Sequence, residues 1–275
     1  MRSSQFATVA IASVIALAAT AGTAVHATHS WGAYHWARKT ASFDLVVVNS
    51  TTPEWDGYVA AATSDWSASP VLNLIEDPSG ATGDQERRQC RAPEGKVRIC
   101  NYAYGRNGWL GIAGIAIDAA GHIVTGYTKL NDSYFAMPTY NSYDWKQSVT
   151  CQELGHNLGL DHQDEDFNNV SLTSCMDYQN PPYPLPDEHD FEQLSSTYAH
   201  TDTYNSYAAT DSGSDGGGAC TAPPGKGCNR SRVGQDSAEA GWGISVARRG
   251  RHETFLRIDP GGTRHITFVT WVDGH

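Results

Sequence analysis

The run Gln152-Glu153-Leu154-Gly155-His156-Asn157-Leu158-Gly159-Leu160-Asp161-His162 constrains this chain more than any other segment. On an α-helix, residues four apart share a face, so Gln152 and His156 project side by side. Glu153, offset by about 100° around the helix axis, stands next to that pair. Gly159 offers the residue without Cβ that a sharp helix-ending turn favours, and such a turn carries His162 back toward the helix. Three neutral donors arriving from two directions, with a carboxylate alongside, can hold a metal and leave one position for water. That is the open arrangement of a catalytic zinc site, with Glu153 as general base and later acid.

The flanking sequence supplies elements to hold such a helix. Asp144–Leu158 reads as the helix that carries the run. Pro53–Ser67 reads as another, with Trp55, Tyr58, Val59, Ala62 and Trp66 at helical spacing and Thr52 available as cap. Asp187–Ala199 is a third, with Phe191, Leu194 and Tyr198 on one side. Ala41–Asn49, Val71–Ile75, Val97–Tyr104, Trp109–Ile117 and His122–Leu130 are strand candidates separated by turn-forming residues. This pattern predicts an α+β domain.

Composition divides the remainder of the chain. Residues 1–27, with Arg2 followed by an alanine-rich apolar stretch from Ala7 to Val25, read as a secretory signal peptide. Residues 28–211 then form the main domain. Residues 212–231, rich in Gly, Ser and Pro, read as a linker. Residues 232–275 read as a small β-rich extension with strands at Gly241–Val246, Thr254–Ile258 and His265–Val272. The chain carries 30 acidic against 19 basic residues, and one of the basic ones, Arg2, lies in the signal segment. That acidic excess argues against nucleic acid or an anionic membrane as a partner. The expected location is extracellular, the expected partner a peptide or protein substrate, and the expected state a monomer. Six cysteines in an exported chain predict disulfides. Fifteen pairings exist in principle; proximity favours Cys90–Cys100 and Cys220–Cys228, which leaves Cys151–Cys175.

The run resembles the metzincin pattern H-E-x-x-H-x-x-G-x-x-H at every fixed position except the first, where Gln152 stands. A second match follows. Ser174-Cys175-Met176-Asp177-Tyr178 is similar to the Met-turn of that family. The resemblance covers about residues 30–200 and implies a zincin catalytic domain, with a mixed, twisted sheet over the motif helix and Met176 as an apolar floor beneath the metal. It implies Tyr178 as an extra ligand or oxyanion stabiliser, Glu153 as the catalytic carboxylate, and Gln152, His156 and His162 as the metal set. It also implies that Gly111–Asn131 holds the sheet edge on which an extended substrate adds a strand, near Gly111–Ile117.

The activity implied is that of a secreted zinc-dependent endopeptidase, and the alternative is a catalytically impaired relative that binds peptide in the same cleft. Gln152 bears on the choice. Its amide oxygen is neutral and has the reach of an imidazole nitrogen, but it is a poorer zinc donor, so zinc is expected to be held more weakly. His122, His189 and His200 are candidate replacements for the missing imidazole. The acidic run Asp161, Asp164, Glu165 and Asp166 could bind Ca2+, but no EF-hand spacing is present and a solvated loop is expected.

Overall fold

The computed structural model describes residues 29–208 and 241–272. In chain order its elements are β1 (His35–Trp36), β2 (Phe43–Ser50), α1 (Pro53–Trp66), β3 (Leu72–Asp77), α2 (Asp84–Gln89), β4 (Val97–Tyr102) and β5 (Trp109–Ile117). They continue with β6 (His122–Asn131), α3 (Asp132–Phe135), α4 (Tyr143–Asn157), α5 (Glu188–Thr197), β7 (Ile244–Arg249), β8 (His252–Ile258) and β9 (Arg264–Trp271). The fold is α+β, and one mixed sheet runs through it in the order β3-β2-β4-β6-β5-β9-β8-β7. The β3, β2, β4 and β6 strands are parallel neighbours, whereas β6-β5-β9-β8-β7 are antiparallel throughout. The short β1 pairs in parallel with the start of β6.

Helix α1 starts where Pro53, lacking the N–H that a helix start leaves unpaired, occupies the first turn beside Glu54 and Asp56. Thr52 holds the cap position, but its side chain makes no capping bond. Its hydroxyl instead accepts from Asn101 Nδ2, on β4, at 3.1 Å. The apolar stripe expected on α1 is buried at Trp55, Val59, Ala62 and Trp66. Trp66 lies against α4, and its indole N–H donates to the Cys151 carbonyl at 3.0 Å.

Helix α4 begins with Ser142, whose hydroxyl accepts from the Trp145 N–H, and is buried from Gln147 through Asn157. A helix buried on every side sets its polar side chains against protein. Asn157 Nδ2 donates toward the sheet, to Thr128 Oγ1 at 2.8 Å. Trp36 Nε1 donates to the Asn157 carbonyl at 2.9 Å and closes the end of the helix. Helix α5 is set by a reciprocal capping box between Asp187 and Asp190.

Cys90–Cys100 and Cys151–Cys175 are both disulfide-bonded. The second bond joins α4 to the segment ahead of Met176, across a loop worth roughly 3 kcal/mol in the chain-entropy account. The expected Cys220–Cys228 pair, the signal peptide and the linker at 212–231 lie outside the described residues. Among the described residues no helix is long and apolar enough to cross a membrane.

Two sequence expectations change. Strands β7–β9 occur where a small separate extension was expected, yet they continue the main sheet, because β9 pairs with β5 along its whole length. For the same reason β5 is not an edge. It is flanked by β6 on one side and β9 on the other, so the backbone groups expected to receive a substrate strand already have partners.

Candidate functional site

The site lies where α4 faces β5 and β9. The close approach of helix to sheet depends on glycine: a Cβ on Gly111 of β5 would come within 2.6 Å of both Glu153 Oε1 and Val149 Cγ1. On the other side of α4, a Cβ on Gly155 would sit 2.7 Å from Met176 Sδ and from Trp66 Cζ2. Met176 is fully buried there, so the Ser174–Tyr178 segment packs directly against the helix that carries the motif.

Gly159 ends the helix as the sequence requires. Its φ is 95°, and a Cβ would lie 2.2 Å from the Tyr34 carbonyl oxygen. The turn brings the His162 ring to 4.5 Å from the His156 ring, nearly perpendicular at 85°. His156 Nδ1 lies 2.9 Å from the Leu160 carbonyl, which can only accept, so Nδ1 carries the proton and Nε2 presents a lone pair. His162 Nδ1 faces the Tyr178 hydroxyl at 2.7 Å, with Asp161 and Glu165 carboxylate oxygens at 3.5 and 3.6 Å. Those carboxylates favour a proton on Nδ1, which again leaves Nε2 bare. Both Nε2 atoms are buried without a hydrogen-bond partner among the described residues, and so is Glu153 Oε2.

Burial dominates the electrostatics. It holds both imidazoles well below the ordinary histidine range, His162 adding to the effect at His156 and His29 at His162. It pushes Glu153 up to about 8, against hydrogen bonds from Thr270 and the Ala113 backbone. Tyr178 is held well above the usual phenol range, chiefly by burial.

Tyr178 meets the site at the Nδ1 side of His162 and orients that ring; the expected ligand or oxyanion role is at the opposite nitrogen. Gln152 is brought to the same face as His156 and Glu153, and its Oε1 lies 3.3 Å from the Thr270 hydroxyl oxygen. The replacement histidines considered from sequence are engaged elsewhere. His122 and His200 gather with His35 around Asp202, and His189 stacks on His29. The acidic residues Asp161, Asp164, Glu165 and Asp166 line an open polar hollow together with His29, His162 and Gln163.

Three contributors come from the C-terminal strands. In β9, Phe268 and Thr270 alternate with Val269 and so face the same side. Phe268 stacks on the His156 ring at 4.3 Å and 15°. The Thr270 hydroxyl donates to Glu153 Oε1 at 2.8 Å. His252, paired with Thr270 from β8, lies 4.2 Å from the His162 ring and stacks on Tyr178 at 3.7 Å. Nothing local marked these residues; the one available signal was an alternating run in the last strand, which does not say what it pairs with.

The donor chemistry suits a divalent metal. Two buried imidazole nitrogens with bare lone pairs and no partner are the groups such an ion satisfies, and a neutral amide oxygen stands one helical turn away. The arrangement is also covered: Glu153 and His156 have no exposed surface, and Gln152 and His162 retain 6% and 7%.

No protein-family model matches the chain, and no curated protein matches it. Among solved structures it is similar to High choriolytic enzyme 1, a hatching enzyme zinc-protease from the medaka fish Oryzias latipes. That similarity has a TM-score of 0.34 and 10% identity, over 60% of this chain and 94% of that one.

Proposed function

We propose that this chain is a secreted zinc-dependent endopeptidase of metzincin type, held here with its own C-terminal strands across the active site. The observation that carries the reading is the pair of buried, unpartnered Nε2 atoms on His156 and His162, beside the equally unpartnered Glu153 Oε2. Leaving a buried polar atom unsatisfied costs about 1–3 kcal/mol. A site with no ion to serve would carry that cost three times over.

His156, His162 and Gln152 would hold the ion, which when bound supplies an acidified water and a polarised scissile carbonyl. Glu153, one residue along the same helix, takes the proton from water and returns it to the leaving amine. Tyr178 fixes the His162 ring through Nδ1, and Met176 and the Cys151–Cys175 bond fix the floor against α4. Disulfides fit an oxidising, extracellular destination. For substrate to reach the site, β9 must leave β5, since both would occupy the same backbone groups.

The second reading is a non-catalytic relative. It is favoured by Thr270, whose hydroxyl donates to Glu153 and lies 3.3 Å from the Gln152 amide oxygen. The two readings part on one comparison. Wild-type protein and Glu153→Ala are assayed with a quenched fluorescent peptide library, with and without chelator. Chelator-sensitive hydrolysis that falls at least a hundredfold in Glu153→Ala supports the peptidase. Equal rates in the two proteins remove it.

A further inference from the structure

A second cluster, built from none of the motif residues, joins three distant parts of the chain. The ligand atoms of His35, His200 and Asp202 all lie within 4.8 Å of one another. His35 belongs to β1, and His200 and Asp202 follow α5. His35 Nε2 and His200 Nε2 are 3.1 Å apart. Two imidazoles bound to one tetrahedral zinc at ordinary Zn–N lengths stand about 3.3 Å apart. The Asp202 carboxylate approaches both: Oδ2 is 3.5 Å from His35 Nε2, and Oδ1 is 3.6 Å from His200 Nε2. A third imidazole, His122 at the start of β6, brings its Nε2 to 3.2 Å from the same Oδ1.

His35 Nδ1 lies 2.7 Å from the Ala33 carbonyl and donates to it, which points Nε2 at Asp202 and His200. His122 Nδ1 lies 2.7 Å from the Tyr204 hydroxyl. That hydroxyl donates its proton to Asp118 Oδ2, so it accepts from His122, whose Nε2 points at Asp202. Each imidazole is also oriented from behind, by a backbone carbonyl or by a tyrosine–carboxylate pair, as metal-ligating histidines are. Asp202 is positioned further by the Arg38 N–H, which donates to Oδ2 at 3.0 Å.

We propose that His35, His200 and Asp202 form a site for one divalent transition metal, with zinc the best fit. Two imidazoles and a carboxylate fill three positions of a tetrahedral set and leave the fourth to water. The ion would tie the entry strand β1 to the segment leaving α5. Through Tyr34, whose carbonyl abuts Gly159, it would also steady the turn that delivers His162.

The test uses the full mature chain, stripped with chelator and titrated with Zn2+, with bound metal counted by elemental analysis and Tm followed in parallel. His200→Ala suits it because that side chain is 54% exposed and can be removed with little loss of packing. His35→Gln keeps bulk and is a second, independent variant. Each is expected to bind one equivalent of zinc fewer than wild type, or to hold it at least about tenfold more weakly, and to lose the matching zinc-induced rise in Tm. The difference of one equivalent holds whether or not the motif site also takes metal: two falls to one, or one falls to none. Unchanged zinc content and affinity in His200→Ala would overturn the proposal.

Discussion

Replacing Thr270 with valine removes one hydroxyl and almost no volume. In the covered state that hydroxyl donates to Glu153 Oε1 at 2.8 Å, with Gln152 Oε1 at 3.3 Å and His252 Nδ1 at 3.2 Å also in reach. Thr270 is 4% exposed, so no water takes its place. When β9 is withdrawn, Glu153 is solvated and loses nothing by the substitution. The penalty falls on the covered state alone, at about 1–3 kcal/mol for a buried carboxyl that loses its side-chain donor. At 1.36 kcal/mol per factor of ten, this shifts the covered–open equilibrium about 5- to 150-fold toward open. Thr270→Val should therefore hydrolyse a quenched fluorescent peptide faster than wild type while unfolding at a lower temperature. The expected drop is about 2–4 °C per kcal/mol for a chain of this size. Thr270→Ser keeps the donor and should resemble wild type in both respects. A Thr270→Val protein with lowered Tm and unchanged or reduced kcat/KM would refute the idea that β9 competes with substrate.

Gln152→His restores the third imidazole and should tighten zinc binding at the motif at least tenfold in a competitive chelator titration; an unchanged affinity would show that position 152 does not face the ion. Gly111→Ala places a methyl 2.6 Å from Glu153 Oε1. It should cost about 1–3 kcal/mol of stability by overpacking and lower kcat/KM by displacing that carboxylate, both measurable against the same variant's circular dichroism. Burial holds the Asp190 carboxyl up at about 7, opposed by hydrogen bonds from Ser174 and the Asp187 backbone. A raised folded-state value means that the native protein binds the extra proton, so this contribution is complete below the unfolded range near 4. It is lost as pH rises toward 7, with a slope of at most about 1.4 kcal/mol per pH unit. Urea unfolding between pH 4.5 and 7.5 should show the decline in wild type and a flatter profile in Asp190→Asn.

What could be read in the sequence was what neighbours decide. The motif helix falls at Tyr143–Asn157, against an expected Asp144–Leu158, because the motif spacing and Gly159 are local signals. Trp109–Ile117 and His122–Asn131 follow for the same reason, being β-rich runs bounded by turns. Helix α2 was missed: its six residues, Asp84–Gln89, are polar and none is buried, so no periodicity marks it. The larger surprises are contacts between residues far apart in the chain. Gly111 pairs with Thr270, and nothing in either strand's alternation names the other as partner. His122 and His200, considered as stand-ins for the missing ligand, instead meet His35, whose distance along the chain hid the cluster.

The central claim, that His156 and His162 hold a catalytic metal despite Gln152, is tested most directly by a crystal structure of the zinc-loaded protein with anomalous data at the zinc edge. A peak about 2.0–2.1 Å from both His156 Nε2 and His162 Nε2, with the Gln152 amide oxygen turned toward it, is the predicted result. No anomalous density between those two nitrogens, in crystals grown with zinc in excess, would contradict it.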